Sequence, residues 1–256
     1  MRAVGLHAHL PIDDPASLVD LVVPVPTIAG HDLLVHVHAV SVNPVDYKIR
    51  SPSGQAPLTA PKILGYDAAG VVVAVGSDAS LFKVGDEVFY AGTWTRNGTN
   101  AEYHAVDERI VGRKPASLSF ADAAALPLTS ITAWEALFHR LGVPTSSAGA
   151  ATTSTKKNAS VLILNGAGGD NLPFQKLFAK SVTFVWELMF TRAVFNTEDI
   201  IEQHRLLNQV SALVDAKRLR TTVGKSLGTI NAVNLKLAHV ALEAGTVVGK
   251  LVLSGF

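Results

Sequence analysis

Two stretches of the chain place polar groups and glycines at spacings that chemistry can use. The apolar run Val161-Leu162-Ile163-Leu164 leads into Gly166-Ala167-Gly168-Gly169. Glycines at the end of a buried strand let the backbone approach a pyrophosphate, and a following helix aims its amide dipoles at the charge. A glycine-rich turn between strands fits the same residues. A dinucleotide site also needs a helix after the loop and a ribose-reading residue about 20 residues on. Here Asp170-Asn171-Leu172-Pro173 follows instead, and proline discourages a helix at that point. The second stretch, Ser41-Val42-Asn43-Pro44-Val45-Asp46-Tyr47-Lys48, gathers polar groups at the end of a strand, where sites are often built. A turn begun by Asn-Pro, with Asp46 capping a helical turn, accounts for it equally. Gly65-Tyr66-Asp67-Ala68-Ala69-Gly70 reads as a tight turn followed by close packing of small residues. His36 and His38 share one face of a strand. Zinc needs three or four ligands, and no third ligand stands at a companion spacing, so they read as a surface pair. The remaining histidines form no Ser-His-Asp arrangement.

The elements that would position these groups change character along the chain. Residues 3–7, 18–23, 33–42, 68–75, 87–91 and 101–106 read as strands. Within 33–42, Leu33, Val35, Val37 and Ala39 alternate with Leu34, His36, His38 and Val40, the period of a strand. The nearly all-apolar run 68–75 fits a strand buried on both faces. Many short strands with frequent turns point to a compact barrel or sandwich. From residue 117 the pattern turns helical. Phe120–Leu126 follows a serine cap, and Pro127 opens a helix through Trp134 to Leu141. Residues 145–158 form a low-complexity polar stretch, read as a surface loop. A strand at 160–165 precedes the glycine loop, and 182–186 suggests another. Thr197-Glu198-Asp199 caps an amphipathic helix carrying Ile200, Ile201, His204 and Leu207. A second helix spans about 232–244, and Val247–Leu253 closes the chain as a strand.

Composition narrows the classes. The chain has 256 residues, 48% of them hydrophobic, a net charge of +1 and no cysteine. It can bury a substantial core, and it lacks the polarity of a disordered chain. Without cysteine there is no disulfide, no Cys-ligated metal and no cysteine nucleophile. Near-neutral charge gives no electrostatic case for nucleic acid. No apolar run approaches the roughly 20 residues of a membrane span. Pro11, Asp13 and Asp14 interrupt any signal-peptide core, so a soluble, cytoplasmic protein is expected.

Taken in order, these pieces resemble the medium-chain dehydrogenase/reductase superfamily, and most closely its zinc-independent quinone oxidoreductase branch, often labelled zinc-type alcohol dehydrogenase-like. The matching stretches are 42–48, 61–72, 84–88, 123–135, 165–169, 186–192 and 249–253, which together span almost the whole chain. The resemblance implies an α/β (α+β) protein. A GroES-like β-barrel catalytic domain would span residues 1–125, completed by 200–256. Residues 126–199 would form a truncated Rossmann-like cofactor segment. It implies hydride transfer from NADPH to a quinone or activated alkene. Asn43, Tyr47 and Thr129 would line the nicotinamide and substrate cleft, with Tyr47 as hydrogen-bond or proton donor to the substrate oxygen. Gly166, Gly168 and Gly169 would face the pyrophosphate, and Lys250 would close the cofactor groove. A homodimer through the strand-like stretch Ser181–Glu187 is a further implication.

Two departures qualify that picture. Zinc-dependent relatives carry a Cys near the position of Asn43 and a Gly-His-Glu motif where this chain has Gly65-Tyr66-Asp67, so no zinc is expected. In the family the glycine loop continues into several further strand–helix units. Here Ser160 to Asn196 comprises 37 residues, whereas six strands with crossover helices need well over about 100. The sequence therefore supports an NADPH-dependent quinone or enone reductase impaired by loss of most of its cofactor domain. The alternative is a non-catalytic binding or oligomerisation remnant, or a deletion product of a full-length reductase.

Overall fold

The computed structural model describes residues 1–54, 56–143, 178–179, 181 and 183–256. The glycine loop at Gly166, Gly168 and Gly169, the strand expected at 160–165 and the polar stretch 145–158 lie outside the described residues. The chain divides into two compact units, Met1–Ser130 with Phe190–Phe256, and Ile131–Met189.

The larger unit is mixed α/β and built on one long strand. In chain order its elements are β1 (Arg2–Leu6), β2 (Val19–Val22), β3 (Asp32–Val42), α1 (Pro44–Arg50), β4 (Lys62–Ile63), β5 (Ala68–Val75), β6 (Glu87–Tyr90), β7 (Tyr103–Asp107) and β8 (Val111–Arg113). Then follow α2 (Phe120–Ala124) and α3 (Pro127–Trp134), and after the second unit α4 (Thr191–Phe195), α5 (Ile201–Asp215), β9 (Val223–Ser226), α6 (Ala232–Glu243) and β10 (Lys250–Ser254).

β3 is the spine. Its alternation holds to Ala39: Leu33, Val35, Val37 and Ala39 are buried, while Leu34, His36 and His38 are half-buried. From Ala39 to Val42 every residue is buried, so both faces of this end of the strand are covered. One edge carries β5, antiparallel, with two register shifts. The other edge is shared, with β7 on Asp32–His36 and β10 on Ala39–Val42. β6 and β8 extend the β5 side, and β9 lies parallel to β10. A small separate sheet orders β2, β1 and β4. Gly70 of β5 is obligatory because a Cβ there would run into the backbone of His36 and the side chain of Val35. The core joins Leu33, Val35, Leu64, Val72, Tyr90 and Leu253. Burying such side chains contributes about 1.5–3 kcal/mol each.

Caps decide the helix ends, and one expected cap is absent. Ser119 Oγ accepts from Asp122 N (3.1 Å) to start α2. Asn231 Oδ1 accepts from Asn234 N (2.8 Å) to start α6, and Gly245 follows its end at φ +66°. α5 begins instead behind Ile200, with no side-chain cap. The Thr197 hydroxyl is spent on Asp199 (2.6 Å), and Asp199 also pairs with Arg192 (2.9 Å). These polar groups satisfy one another rather than the helix.

In the smaller unit α3 ends in a π-helical turn, Glu135–Arg140. Trp134 meets Phe138 edge-on at 4.7 Å, and Arg140 pairs with Glu187 at 3.1 Å. Of the edge strand expected through Ser181–Glu187, the described residues 183–187 form no strand.

Candidate functional site

The fully buried end of β3 delivers Ser41 and then Asn43, which stands immediately before α1. The backbone of Asn43 is extended (φ −124°, ψ 159°), as a helix N-cap requires. Asp46, in the first turn of α1, reaches back: its Oδ2 accepts from Asn43 N at 2.7 Å. Its Oδ1 accepts from Gly65 N at 2.9 Å. Asp46 thus ties the start of α1 to the turn before β5. Gly65 takes φ +104°, and a Cβ on it would meet Thr99 Oγ1 at 2.5 Å. Burial pushes the Asp46 carboxyl up to about 7, opposed by the Asn43 N–H and the Lys250 charge.

Asp67 is the centre of the site. It is completely buried, yet every oxygen has a donor. Its Oδ2 accepts from Asn43 Nδ2 (2.8 Å), Ser41 Oγ (3.0 Å) and Lys250 Nζ (2.9 Å). Its Oδ1 accepts from the backbone N–H of Leu128 (2.7 Å), in the first turn of α3. The Lys250 ammonium also donates to Asn43 Oδ1. Three segments far apart in sequence, residues 41–43, 128 and 250, therefore meet on one carboxylate. An ammonium held in a low-dielectric interior acts far more strongly on nearby charge than one in water.

Of the residues expected to act, the fold brings Asn43 and Lys250 together. Lys250 lies at the start of β10 with its ammonium turned inward to Asn43 and Asp67. Thr129 is adjacent to Leu128. It is exposed, and its Oγ1 donates to Leu126 O (3.2 Å), which leaves its lone pairs free to accept. Tyr47 lines an open groove with Lys48, Arg50, Ser51, Ser53 and Glu243. None of those neighbours belongs to the Asp67 cluster. Gly166, Gly168 and Gly169 lie outside the described residues.

Sequence reasoning passed over Ser41, Asp46, Tyr66 and Asp67 as bearers of the site, taking them as turn and packing residues. One signal was present. An aspartate directly before an almost wholly apolar strand is buried on entering it, and a buried carboxylate needs a cation or several donors.

As a donor set for zinc the cluster is poor. Asn43 offers an amide whose oxygen is taken by Lys250. The Tyr66 phenol is pushed up by burial, and secondly by the Asp46 charge, so it stays neutral. Asp67 already faces an ammonium, beside which a divalent cation would be repelled. Among the described residues no group of three or more His, Cys, Asp or Glu side chains is placed to hold a metal. His36 and His38 lie 4.8 Å apart, ring to ring, stacked respectively on Tyr103 and Phe120. Among the described residues no helix is long and apolar enough to cross a membrane.

Comparison with known proteins bears on the same residues. Residues 29–118 match the alcohol dehydrogenase GroES-like domain. A zinc-type alcohol dehydrogenase-like protein of Staphylococcus aureus (strain COL) is 30% identical over 317 residues, covering 90% of this chain and 92% of that protein. The aligned length exceeds the 256 residues of this chain, so the relative carries internal sequence that this chain lacks. The crystal structure of a candidate zinc-dependent alcohol dehydrogenase from Rhizobium etli CFN 42 superposes with a TM-score of 0.86 at 43% identity. It covers 100% of this chain and 98% of that one. Over 155 residues the chain is 41% identical to the chloroplastic NADPH-dependent alkenal/one oxidoreductase of Arabidopsis thaliana, covering 57% of this chain and 36% of that protein. A GroES-like domain around β3, with identity to such relatives along nearly the full chain, makes this protein a member of the medium-chain dehydrogenase/reductase superfamily of oxidoreductases.

Proposed function

We propose that the chain is an NADPH-dependent reductase of the quinone and enone type, with cofactor binding weakened by the short segment available for it. The observation that carries this reading is the Asn43–Asp67–Lys250 cluster. Relatives are named for zinc, but this site holds a fixed ammonium, an amide and a saturated carboxylate, which do not suit that metal. Reduction of a conjugated carbonyl compound needs a hydride donor and polar stabilisation of the oxygen that gains charge, and a metal is dispensable. NADPH supplies the hydride when bound. The identity to an NADPH-dependent alkenal/one oxidoreductase over 57% of this chain supports the same substrate class.

In this reading the chain's own residues prepare the surroundings. Lys250 sets a positive potential beside Asn43, and Asp67 fixes both groups while tying them to the first turn of α3. Thr129, one residue further on, would accept a hydrogen bond from the nicotinamide amide. Gly166, Gly168 and Gly169 would hold the pyrophosphate. The substrate is a small quinone or enone.

A second reading has one observation in its favour. Met1–Ser130 with Phe190–Phe256 is compact by itself, as a binding module without catalysis would be. An NADPH titration of the full chain, followed by nucleotide fluorescence, separates the two. Binding at micromolar to sub-millimolar nucleotide is expected, with NADPH oxidation by 1,4-benzoquinone or 2-cyclohexen-1-one that a metal chelator leaves unchanged. Absence of binding up to millimolar nucleotide overturns the reductase reading and leaves the binding module.

A further inference from the structure

Around Asp67 the polar side chains are paired, with one exception. The Tyr66 side chain is completely buried, and its hydroxyl has no hydrogen-bond partner among the described residues. Tyr66 directly precedes Asp67, and its ring lies close enough to Asp46 to sense that charge. Asp46 spends its oxygens on the Asn43 and Gly65 N–H groups, and Asn43 spends its amide on Asp67 and Lys250. The phenol is thus an unspent donor in an otherwise saturated neighbourhood. Burying a hydroxyl unpaired is costly, and a bound ligand that accepts from it would offset that cost.

The ring of this phenol packs against an aromatic pair. Phe190 meets the Tyr66 ring edge-on at 5.7 Å, and Trp94 lies against Phe190 at 4.7 Å. Both residues sit on connecting segments rather than in strands: Trp94 between β6 and β7, Phe190 just before α4. Because Phe190 lies outside the sheet, a rotation of its side chain would free one face of the Tyr66 ring without disturbing the strands. The space then opened would be walled by flat aromatic faces with one hydrogen-bond donor, which suits a planar conjugated carbonyl.

We infer that Tyr66, rather than Tyr47, donates the hydrogen bond that receives the carbonyl oxygen of the quinone or enone. This rests on the reductase reading for the identity of the ligand, but the binding it describes does not need the cofactor. Tyr47 lines an open groove with Arg50 and Glu243, and none of the three donates to Asp67.

The test compares the full-length wild type with Tyr66→Phe and Tyr47→Phe, without cofactor. Binding of 2-cyclohexen-1-one is followed by ligand-observed NMR and by the carbonyl stretch in infrared difference spectra. Tyr66→Phe removes only an unpartnered oxygen, so its urea midpoint should equal or exceed the wild type's. Its affinity should fall about tenfold, the worth of one hydrogen bond, and the downshift of the carbonyl band should disappear. Tyr47→Phe should leave affinity within about twofold and the band unchanged. Unchanged binding in Tyr66→Phe overturns the inference, as does loss of binding in Tyr47→Phe alone, a lowered urea midpoint in Tyr66→Phe, or no binding of the enone to the wild type. If the enone effects appear but NADPH does not bind, the reductase reading fails while the assignment of Tyr66 stands.

Discussion

Two histidines show how differently the sheet and the helices treat buried polar groups. His104, on β7, is buried with both ring nitrogens engaged, by the Tyr90 hydroxyl (3.1 Å) and the Asn97 carbonyl (3.0 Å). His239, on α6, is completely buried, and neither nitrogen has a partner among the described residues. Gln203, on α5, repeats the contrast: its whole amide is buried without a partner among the described residues. The Asp67 cluster, at the ends of strands and helices, is instead saturated. Strand ends, turns and first helical turns leave backbone N–H and C=O groups unspent, and buried side chains use them, as Asp67 uses Leu128 N and Asp46 uses Gly65 N. Inside a helix those groups are consumed by the i to i−4 ladder. A polar side chain on the buried face of a helix must find a partner outside its own helix, as His204 finds the Val111 carbonyl at 2.6 Å, or go without.

The hardest way to break the saturated region is to remove its cation. Lys250→Met should leave Asp67 buried as an uncompensated charge and cost about 3–5 kcal/mol, read as a lowered urea midpoint. In the background of Asp67→Leu the same change should cost much less, because the charge is already gone. A small loss in both backgrounds would mean that the cluster is decoration.

Asp46 sharpens the comparison through pH. Its folded value, raised to about 7 mainly by burial, exceeds its ordinary 3.8. The folded state therefore holds the proton more tightly. The stability this contributes is fully present below about pH 3.8, declines by about 1.4 kcal/mol per pH unit above that, and is lost as pH passes 7. Denaturation of wild type and Asp46→Asn across that window should show the wild type losing stability relative to the variant as pH rises. A difference independent of pH would refute the raised value.

The two histidines should respond with opposite signs to the same change. His104→Leu breaks two hydrogen bonds and orphans the Tyr90 hydroxyl, and should destabilise by about 1–3 kcal/mol. His239→Leu removes two unsatisfied atoms and should be neutral or stabilising. Burial lowers His104 to about 4 and His239 to about 3, with the Arg50 charge adding to the latter. Both contribute stability that is present above about pH 6.5 and is lost as pH falls through those values. Either leucine should therefore flatten the acid limb of the stability curve. Equal losses in the two variants would show that His239 has a partner after all.

How far these features were legible in the sequence follows the same division. The period of β3, the length of β5 and the serine cap of α2 rest on neighbours in sequence, and all three could be read. The resemblance singled out Asn43 and Lys250, but their meeting on Asp67 depends on contacts 24 and 183 residues apart. No local pattern carries those. β9 escaped notice because its four residues are mostly exposed and pair only with β10, formed far downstream. The cap expected at Thr197–Asp199 failed because Arg192, on the preceding helix, competes for Asp199.

The smallest effect belongs to the surface and sets the scale for the others. Arg2 and Glu102 form a two-point ion pair, Nε to Oε1 at 2.8 Å and Nη2 to Oε1 at 2.7 Å, with the Arg2 side chain 59% exposed. The backbone N–H of Arg2 also donates to Glu102 Oε2 at 2.6 Å, and this bond, ahead of the guanidinium, holds the Glu102 carboxyl below its ordinary range. Arg2→Met removes the guanidinium and leaves the backbone bond. It should cost at most about 1 kcal/mol, as exposed pairs do, and the cost should fade in about 1 M salt, where charges are screened within about 3 Å. The loss in Lys250→Met should persist in the same salt, since counterions do not reach a buried carboxylate. If salt relieved both variants alike, the Asp67 cluster would be open to solvent, and the contrast between saturated interior and exposed surface would fail.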